Sequence, residues 1–94
     1  MFEIRVVEGG IVQLTGRLDA AEADRVSEEL LAIRGSVRLD CSELDYISSA
    51  GIGVLIELFK RLQSTGHTLT LVNLLPRVRN IFRYAGLDRL LTIE

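Results

Sequence analysis

The 94-residue sequence has no tryptophan, one cysteine, one proline and few aromatic residues of any kind. A lone Cys41 cannot form an internal disulfide, and no basic-then-apolar leader follows Met1, so we expect a protein of the reducing cytoplasm. The longest apolar runs are short, as at Val54–Ile56, whereas a membrane span needs about 20 apolar residues. We therefore expect no insertion into a membrane.

The chain also lacks an excess of positive charge. Its 11 basic and 13 acidic side chains give a net charge of −2, and we expect no binding to nucleic acid, because a phosphate backbone attracts basic proteins. Residues 1–45 contain ten acidic and five basic side chains, whereas residues 46–94 contain three acidic and six basic. This uneven distribution favours electrostatic attraction of a protein partner, and a chance distribution is the alternative.

Signals of catalysis are absent as well. The sequence has no phosphate loop of the P-loop spacing, no nucleophile beside a base and no cluster of metal ligands. His67 has no second histidine or cysteine partner for zinc, and Cys41 alternates with Leu39 and Val37 as a small core residue does. We expect neither an enzyme nor a resident cofactor or metal.

The apolar periodicity predicts one α/β domain over residues 1–94. Gly9-Gly10 between two alternating runs predicts a β-hairpin, and Asp19 with Glu22 predicts the start of the first helix by reciprocal capping. Gly35 is predicted to end that helix in the left-handed conformation, and Ala85 to face inward from the last helix. The predicted strands cover 2–7, 11–15, 37–41, 68–72 and 90–93, and the predicted helices cover 19–33, 52–62 and 76–85, with 42–47 as a connection. Successive right-handed crossovers then give a mixed sheet, antiparallel at the hairpin and parallel beyond it.

The most informative segment runs from Leu44 to Leu55. Gly51 and Gly53 stand in the first turn of the most apolar helix, where each glycine costs about 1 kcal/mol relative to alanine. Small residues there leave the helix start open to a partner or a phosphate. Either Ser48 or Ser49 is predicted to cap this helix. One hypothesis assigns the serines only to the cap and the loop; the other makes one of them a phosphorylation switch.

The segment 44–55 resembles the signature of the STAS family, the bacterial anti-sigma factor antagonists. Further matching runs are Leu14–Asp19, Leu39–Ser42 and Ala85–Leu87, so that the resemblance covers essentially the whole chain. It implies the STAS-like α/β fold, in which a mixed sheet is packed with three to four helices.

The resemblance also implies a site. In the family pattern an Asp, a Ser, a Ser or Thr and a Gly open this helix, and the serine after the Asp is phosphorylated. Anchoring the pattern on Gly51 places the phosphorylated residue at Ser49, with Ser48 at the family's Asp position and Ala50 at the second hydroxyl position. This departure leaves open whether Ser49, Ser48 or neither is modified.

The mechanism implied by the resemblance is partner switching. By this resemblance we expect the unphosphorylated domain to bind an anti-sigma factor with a GHKL-type ATPase and serine kinase fold. Phosphorylation would weaken the complex, and a separate serine phosphatase would reverse the modification. The implied partner-binding residues are Asp19, Asp40, Asp45, Ser48, Ser49, Ala50, Gly51 and Gly53. For Asp19 a helix cap is the favoured interpretation, and for Asp40 and Asp45 the alternative is that they only solvate a loop. The alternative function is a STAS accessory subunit of a transporter or lipid-transport complex, without a phosphoswitch.

Overall fold

A computed structural model describes residues 1–94 as five strands and three α-helices. The strands join into one sheet of order β1-β2-β3-β4-β5, in which β1 pairs antiparallel with β2 and every other pair is parallel. The elements are β1 (Phe2–Val7), β2 (Ile11–Leu18), α1 (Ala20–Leu31), β3 (Val37–Ile47), α2 (Ser49–Ser64), β4 (Leu69–Val72), α3 (Pro76–Tyr84), a 3-10 turn (Leu87–Arg89) and β5 (Thr92–Ile93). The predicted mixed-sheet α/β fold is confirmed.

The N-terminal hairpin closes through Glu8, Gly9 and Gly10, with Val7 paired to Ile11. Gly9 and Gly10 have φ angles of 80° and 76°, which side chains with a Cβ rarely adopt. The two glycines therefore allow the tight reversal that the sequence predicted.

The core forms between the sheet and the paired helices α1 and α2. Val12, Leu39 and Leu71 lie in register on neighbouring strands, so their side chains point to the same face of the sheet. All three are buried. The helices bury one stripe each against this row, where a fully buried leucine contributes about 1.5–3 kcal/mol of transfer free energy. The buried residues of these two helices are Ala23, Val26 and Leu30 of α1 and Gly51, Leu55, Leu58 and Leu62 of α2. No helix is long and apolar enough to cross a bilayer.

Strand β3 is much longer than predicted, and the predicted connection 42–47 is wrong. The strand continues to Ile47 because β2 also continues, and the two pair as far as Leu18 opposite Ile47. A register shift between Gln13 and Thr15 breaks the simple alternation, so that Cys41 and Leu44 are both buried. The exposed polar side chains that follow Cys41 make this half of the strand look like a loop in the sequence.

Two local predictions at helix ends are also wrong. Helix α1 ends at Ala32 in the right-handed conformation, with the Ala32 N–H donating to the Glu28 carbonyl oxygen, and Gly35 does not have a positive φ. Ala85 is exposed instead of facing inward, because α3 buries only Val78 and Phe82 and ends at Tyr84.

Candidate functional site at the start of helix α2

The start of α2 is fixed by the end of β2 and by Ser48. The Ser48 N–H donates to the Leu18 carbonyl oxygen over 2.9 Å, which continues the pairing of β2 with β3 for one more residue. The Ser48 side chain then accepts a hydrogen bond from the Gly51 N–H at 3.2 Å. Ser48 is therefore the helix cap. The sequence predicted either Ser48 or Ser49 in this role, and the structure assigns it to Ser48.

Ser49 is the first residue of the helix and differs from Ser48 in its surroundings. Its side chain is exposed and forms no hydrogen bond within the chain, whereas Ser48 is partly buried. The N–H groups of Ser49 and Ala50 have no partner inside the helix and lie at the positive end of its dipole. A hydroxyl is thus presented to solvent beside backbone groups that favour negative charge.

The two glycines near the start of α2 have different roles. A Cβ added to Gly51 would lie 2.9 Å from both the Leu18 carbonyl oxygen and an Ile47 side-chain carbon. No side chain fits there, so Gly51 allows the helix to pack against the strand ends. A Cβ added to Gly53 would meet nothing within 4 Å, so Gly53 leaves bare helix backbone at an open surface.

Asp19 lies next to this helix start because it follows Leu18. Its carboxylate accepts from the Glu22 N–H at 3.0 Å and caps α1, as the sequence predicted. The reciprocal half of the predicted capping arrangement is not formed, because the Glu22 carboxylate bonds Arg25 instead. Between the first turns of the two helices lies a shallow cavity of about 270 Å³, lined by Ala20, Ala23, Asp24, Ser27, Ala50 and Val54.

Asp45 lies near the end of β3, three residues before Ser48, and is hydrogen-bonded to α3. Arg77 donates from Nε to the Asp45 carbonyl oxygen at 3.0 Å and from Nη2 to its carboxylate at 3.2 Å. Both side chains are more than half exposed, so this ion pair contributes little to stability in water. Beside it, the Arg17 guanidinium stacks over the Tyr46 ring at 4.5 Å from the centroid. Neither contact was foreseen, because each joins residues of different elements.

Asp40 lies away from the other predicted site residues. It is five residues before Asp45, or roughly 16 Å along an extended strand. Its carboxylate accepts from the Ser42 N–H at 3.1 Å and from the Asn73 side-chain amide at 3.2 Å. Partial burial alone would raise the pKa of Asp40, but the hydrogen bonds from Ser42 and Asn73 outweigh it and lower that pKa below 3.8.

The structure thus brings most of the predicted site residues to one place. We call this place the α2 N-terminal surface; Asp45 borders it and Asp40 is remote. No group of three or more His, Cys, Asp or Glu side chains is arranged to hold a metal ion. The residues of the α2 N-terminal surface are Asp19, Ser48, Ser49, Ala50 and Gly53, whereas the predicted site residue Gly51 is buried beneath them against Leu18 and Ile47.

A family model described as "Mlab, STAS domain" matches residues 4–92, which is nearly the whole chain. The chain belongs to the STAS domain family. The family resemblance stated from the sequence is therefore confirmed, and the fold described above is that of a STAS domain.

Individual relatives indicate which class of STAS domain this chain belongs to. BtrV of Bordetella bronchiseptica is 39% identical over 80 residues, which cover 81% of this chain and 69% of BtrV. The anti-sigma-B factor antagonist of Bacillus subtilis is 32% identical over 86 residues, which cover 88% of this chain and 79% of that protein. The phosphorylated form of the Bacillus cell fate determinant SpoIIAA shares the fold, with a TM-score of 0.70 and 19% identity over 100% of this chain and 91% of SpoIIAA. This STAS domain is of the anti-sigma factor antagonist type, a class of regulatory proteins.

Sequence reasoning missed the packing that makes this surface. The contact of Gly51 with Leu18 and the cavity between α1 and α2 both depend on residues distant in the chain. A signal was nevertheless present, since Ala20 and Ala50 put small residues at the starts of both helices.

Proposed function

We propose that this STAS domain, when unphosphorylated, binds an anti-sigma factor with a GHKL-type ATPase and serine kinase fold through the α2 N-terminal surface. Phosphorylation of Ser49 by that partner weakens the complex, and a separate serine phosphatase restores binding. The observation that carries the proposal is the exposed, unbonded hydroxyl of Ser49 at the first position of α2. The class of its relatives supports the choice of partner.

The choice of Ser49 over Ser48 rests on their hydrogen bonds. A kinase needs a hydroxyl that can enter its active site and lose its proton. Ser48 holds the cap bond to Gly51, which is worth about 1 kcal/mol, and is partly buried. Ser49 gives up no bond inside the domain when it is modified.

A phosphate on Ser49 should leave the domain folded. It adds roughly −1.5 to −2 charges beside the free N–H groups of Ser49 and Ala50, at the helix end that favours anions. The phosphate therefore changes the binding of the partner and not the fold of the domain. The group takes up space at the centre of the contact surface and adds negative charge beside Asp19 and Asp24.

The shape of the surface supports close docking. Gly53 leaves helix backbone open, and the cavity between α1 and α2 can receive a side chain of the partner. Asp19 within the surface and Asp45 at its border offer negative charge to a basic partner surface. Asp40 is left out of the proposed contact area because it lies roughly 16 Å from Asp45 along β3.

Phosphorylation is tested by incubating the domain with the candidate anti-sigma factor kinase and ATP and mapping the phosphopeptide. We expect phosphate on Ser49 in the unmodified sequence and in Ser48→Ala, and none in Ser49→Ala. Phosphate that persists in Ser49→Ala would move the site to Ser48. No phosphate anywhere in residues 42–60 would overturn the switch and leave the accessory-subunit alternative.

Docking is tested separately with a matched pair of variants on α2. Gly53→Arg places a long side chain on the open surface near the start of α2, and Gln63→Arg places the same side chain on the exposed last turn. We expect Gly53→Arg to weaken binding of the anti-sigma factor by tenfold or more, about 1.4 kcal/mol, and Gln63→Arg to leave it unchanged. Equal binding by both variants would place the contact elsewhere.

A further inference from the structure

Strand β1 is the long free edge of the sheet. The Arg17 N–H donates to the Met1 carbonyl oxygen at 3.0 Å, and antiparallel pairing alternates bonded and non-bonded positions from there. The backbone groups of Glu3, Arg5 and Val7 therefore point to β2. Those of Phe2, Ile4 and Val6 point outward, away from the sheet.

The same edge exposes apolar side chains. Met1 is 90% exposed, Val6 81% and Val7 41%, and these are three of the five large hydrophobic residues that the domain leaves on its surface. Val6 is exposed although its register partner Val12 is buried, because β1 lies at the margin of the sheet. An edge that combines free backbone groups with exposed apolar side chains favours pairing with another strand.

We propose that two copies of this chain associate through their β1 strands, antiparallel across a two-fold axis at Ile4. The outward N–H and C=O groups of Ile4 then bond those of the other copy's Ile4, and Phe2 pairs with the other copy's Val6. The two five-stranded sheets become one sheet of ten strands, by strand addition across an isologous contact. The strand that pairs with the free edge is thus β1 of a second copy of this chain.

The charge pattern of β1 selects both this partner and this register. Centring the pair on Ile4 places Glu3 opposite the other copy's Arg5, twice by symmetry, at non-hydrogen-bonded positions where side chains approach most closely. Glu3 and Arg5 are exposed and take part in no ion pair within the chain. A shift by two residues would place Glu3 opposite Glu3, or Arg5 opposite Arg5, and would be repulsive.

One contact within the domain opposes the pairing. Arg25 donates from Nη2 to the outward Phe2 carbonyl oxygen at 2.7 Å, and Glu22 holds the guanidinium in place. In the dimer, the other copy's Val6 N–H shares or takes this acceptor. Pairing along an edge of six residues also buries less surface than a standard interface, which buries about 1,600 Å² in total. We therefore expect a reversible dimer whose population rises with protein concentration.

The proposed dimer does not depend on the proposed function. It uses Phe2–Val7 and none of the residues of the α2 N-terminal surface, so that loss of dimerisation and loss of partner binding are separate observations.

The test is sedimentation velocity of the whole chain from about 10 μM to about 1 mM, with charge-reversed variants. Glu3→Arg and Arg5→Glu each put like charges opposite one another, and we expect each to weaken self-association at least tenfold. A mixture of the two variants restores opposite charges across the axis and should form a heterodimer. Val6→Pro removes an outward N–H that β2 does not use and should abolish association. Circular dichroism checks that each variant is folded.

The outcomes decide the proposal. Concentration-dependent dimers whose affinity falls at least tenfold in both charge variants and recovers in their mixture support it. A chain that stays monomeric at the highest concentration overturns it, and so do an unchanged dimer affinity in either charge variant or dimers of a folded Val6→Pro variant.

Discussion

Gly51 lies so close to Leu18 that a Cβ at position 51 would come within 2.9 Å of the Leu18 carbonyl oxygen. This contact packs the start of α2 against the ends of β2 and β3 and so determines where Ser49 lies on the surface. We expect Gly51→Ala to lower the free energy of unfolding by about 1–3 kcal/mol, because backbone atoms of Leu18 cannot move aside cheaply. Urea denaturation monitored by circular dichroism measures the change.

Gly53→Ala is the matched control for this prediction. A Cβ there meets nothing within 4 Å, so alanine should raise stability by about 0.5–1 kcal/mol through its higher helix propensity. If Gly51→Ala were as stable as Gly53→Ala, the close contact with Leu18 would not exist in solution.

The two serines should differ in their effect on stability. Ser48→Ala removes the acceptor of the Gly51 N–H and should cost about 1 kcal/mol. Ser49→Ala breaks no hydrogen bond and should change the free energy of unfolding by less than about 0.5 kcal/mol. Thermal or urea unfolding distinguishes them, and a larger loss in Ser49→Ala would mean that Ser49 is the cap.

The pKa of Asp40 should respond to Asn73. Asn73→Gly removes the amide that bonds the carboxylate at 3.2 Å and tolerates the positive φ of 60° at this position. We expect the pKa of Asp40 to rise, as measured by the NMR titration of its carboxyl carbon. A lowered folded-state pKa contributes stability above the ordinary value of 3.8 and loses it as pH falls, so the variant should lose less stability on acidification. An unchanged titration would contradict the bond.

Cys41 should be inert in the folded domain. Burial, with a smaller contribution from the charge of Asp40, raises the pKa of the Cys41 thiol from 9.0 to about 12. Alkylation by iodoacetamide near neutral pH should therefore be slow and should accelerate on unfolding in urea. Because the unfolded thiol ionises first, its contribution to stability should decline as pH rises from 9.0 towards its folded pKa of about 12. Rapid labelling of the native domain would contradict this burial.

Local patterns in the sequence were enough to predict much of this fold. Gly9-Gly10, the cap at Asp19 and the apolar stripe of α2 are signals contained within a few residues, and the structure has each feature they predict. The second half of β3 was missed because its regular alternation is broken where β2 and β3 shift register. That shift depends on a partner strand and is not visible in the segment itself.

The candidate site was predictable in part. The pattern around Gly51 located the helix start, but the hydrogen bond from the Gly51 N–H was needed to assign the cap to Ser48. The family resemblance implies a partner-binding role for both Asp40 and Asp45. An extended strand separates them in space, which follows only once β3 is known to continue to Ile47.

In the proposed switch, a phosphate on Ser49 blocks the α2 N-terminal surface without unfolding the domain. The decisive experiment is isothermal titration calorimetry of the anti-sigma factor against two forms of the domain, one unmodified and one fully phosphorylated on Ser49. We predict that the modified domain binds at least tenfold more weakly, about 1.4 kcal/mol, while its circular dichroism spectrum is unchanged. Equal affinities for the two forms, with phosphate on Ser49 verified by mass spectrometry, would contradict the claim.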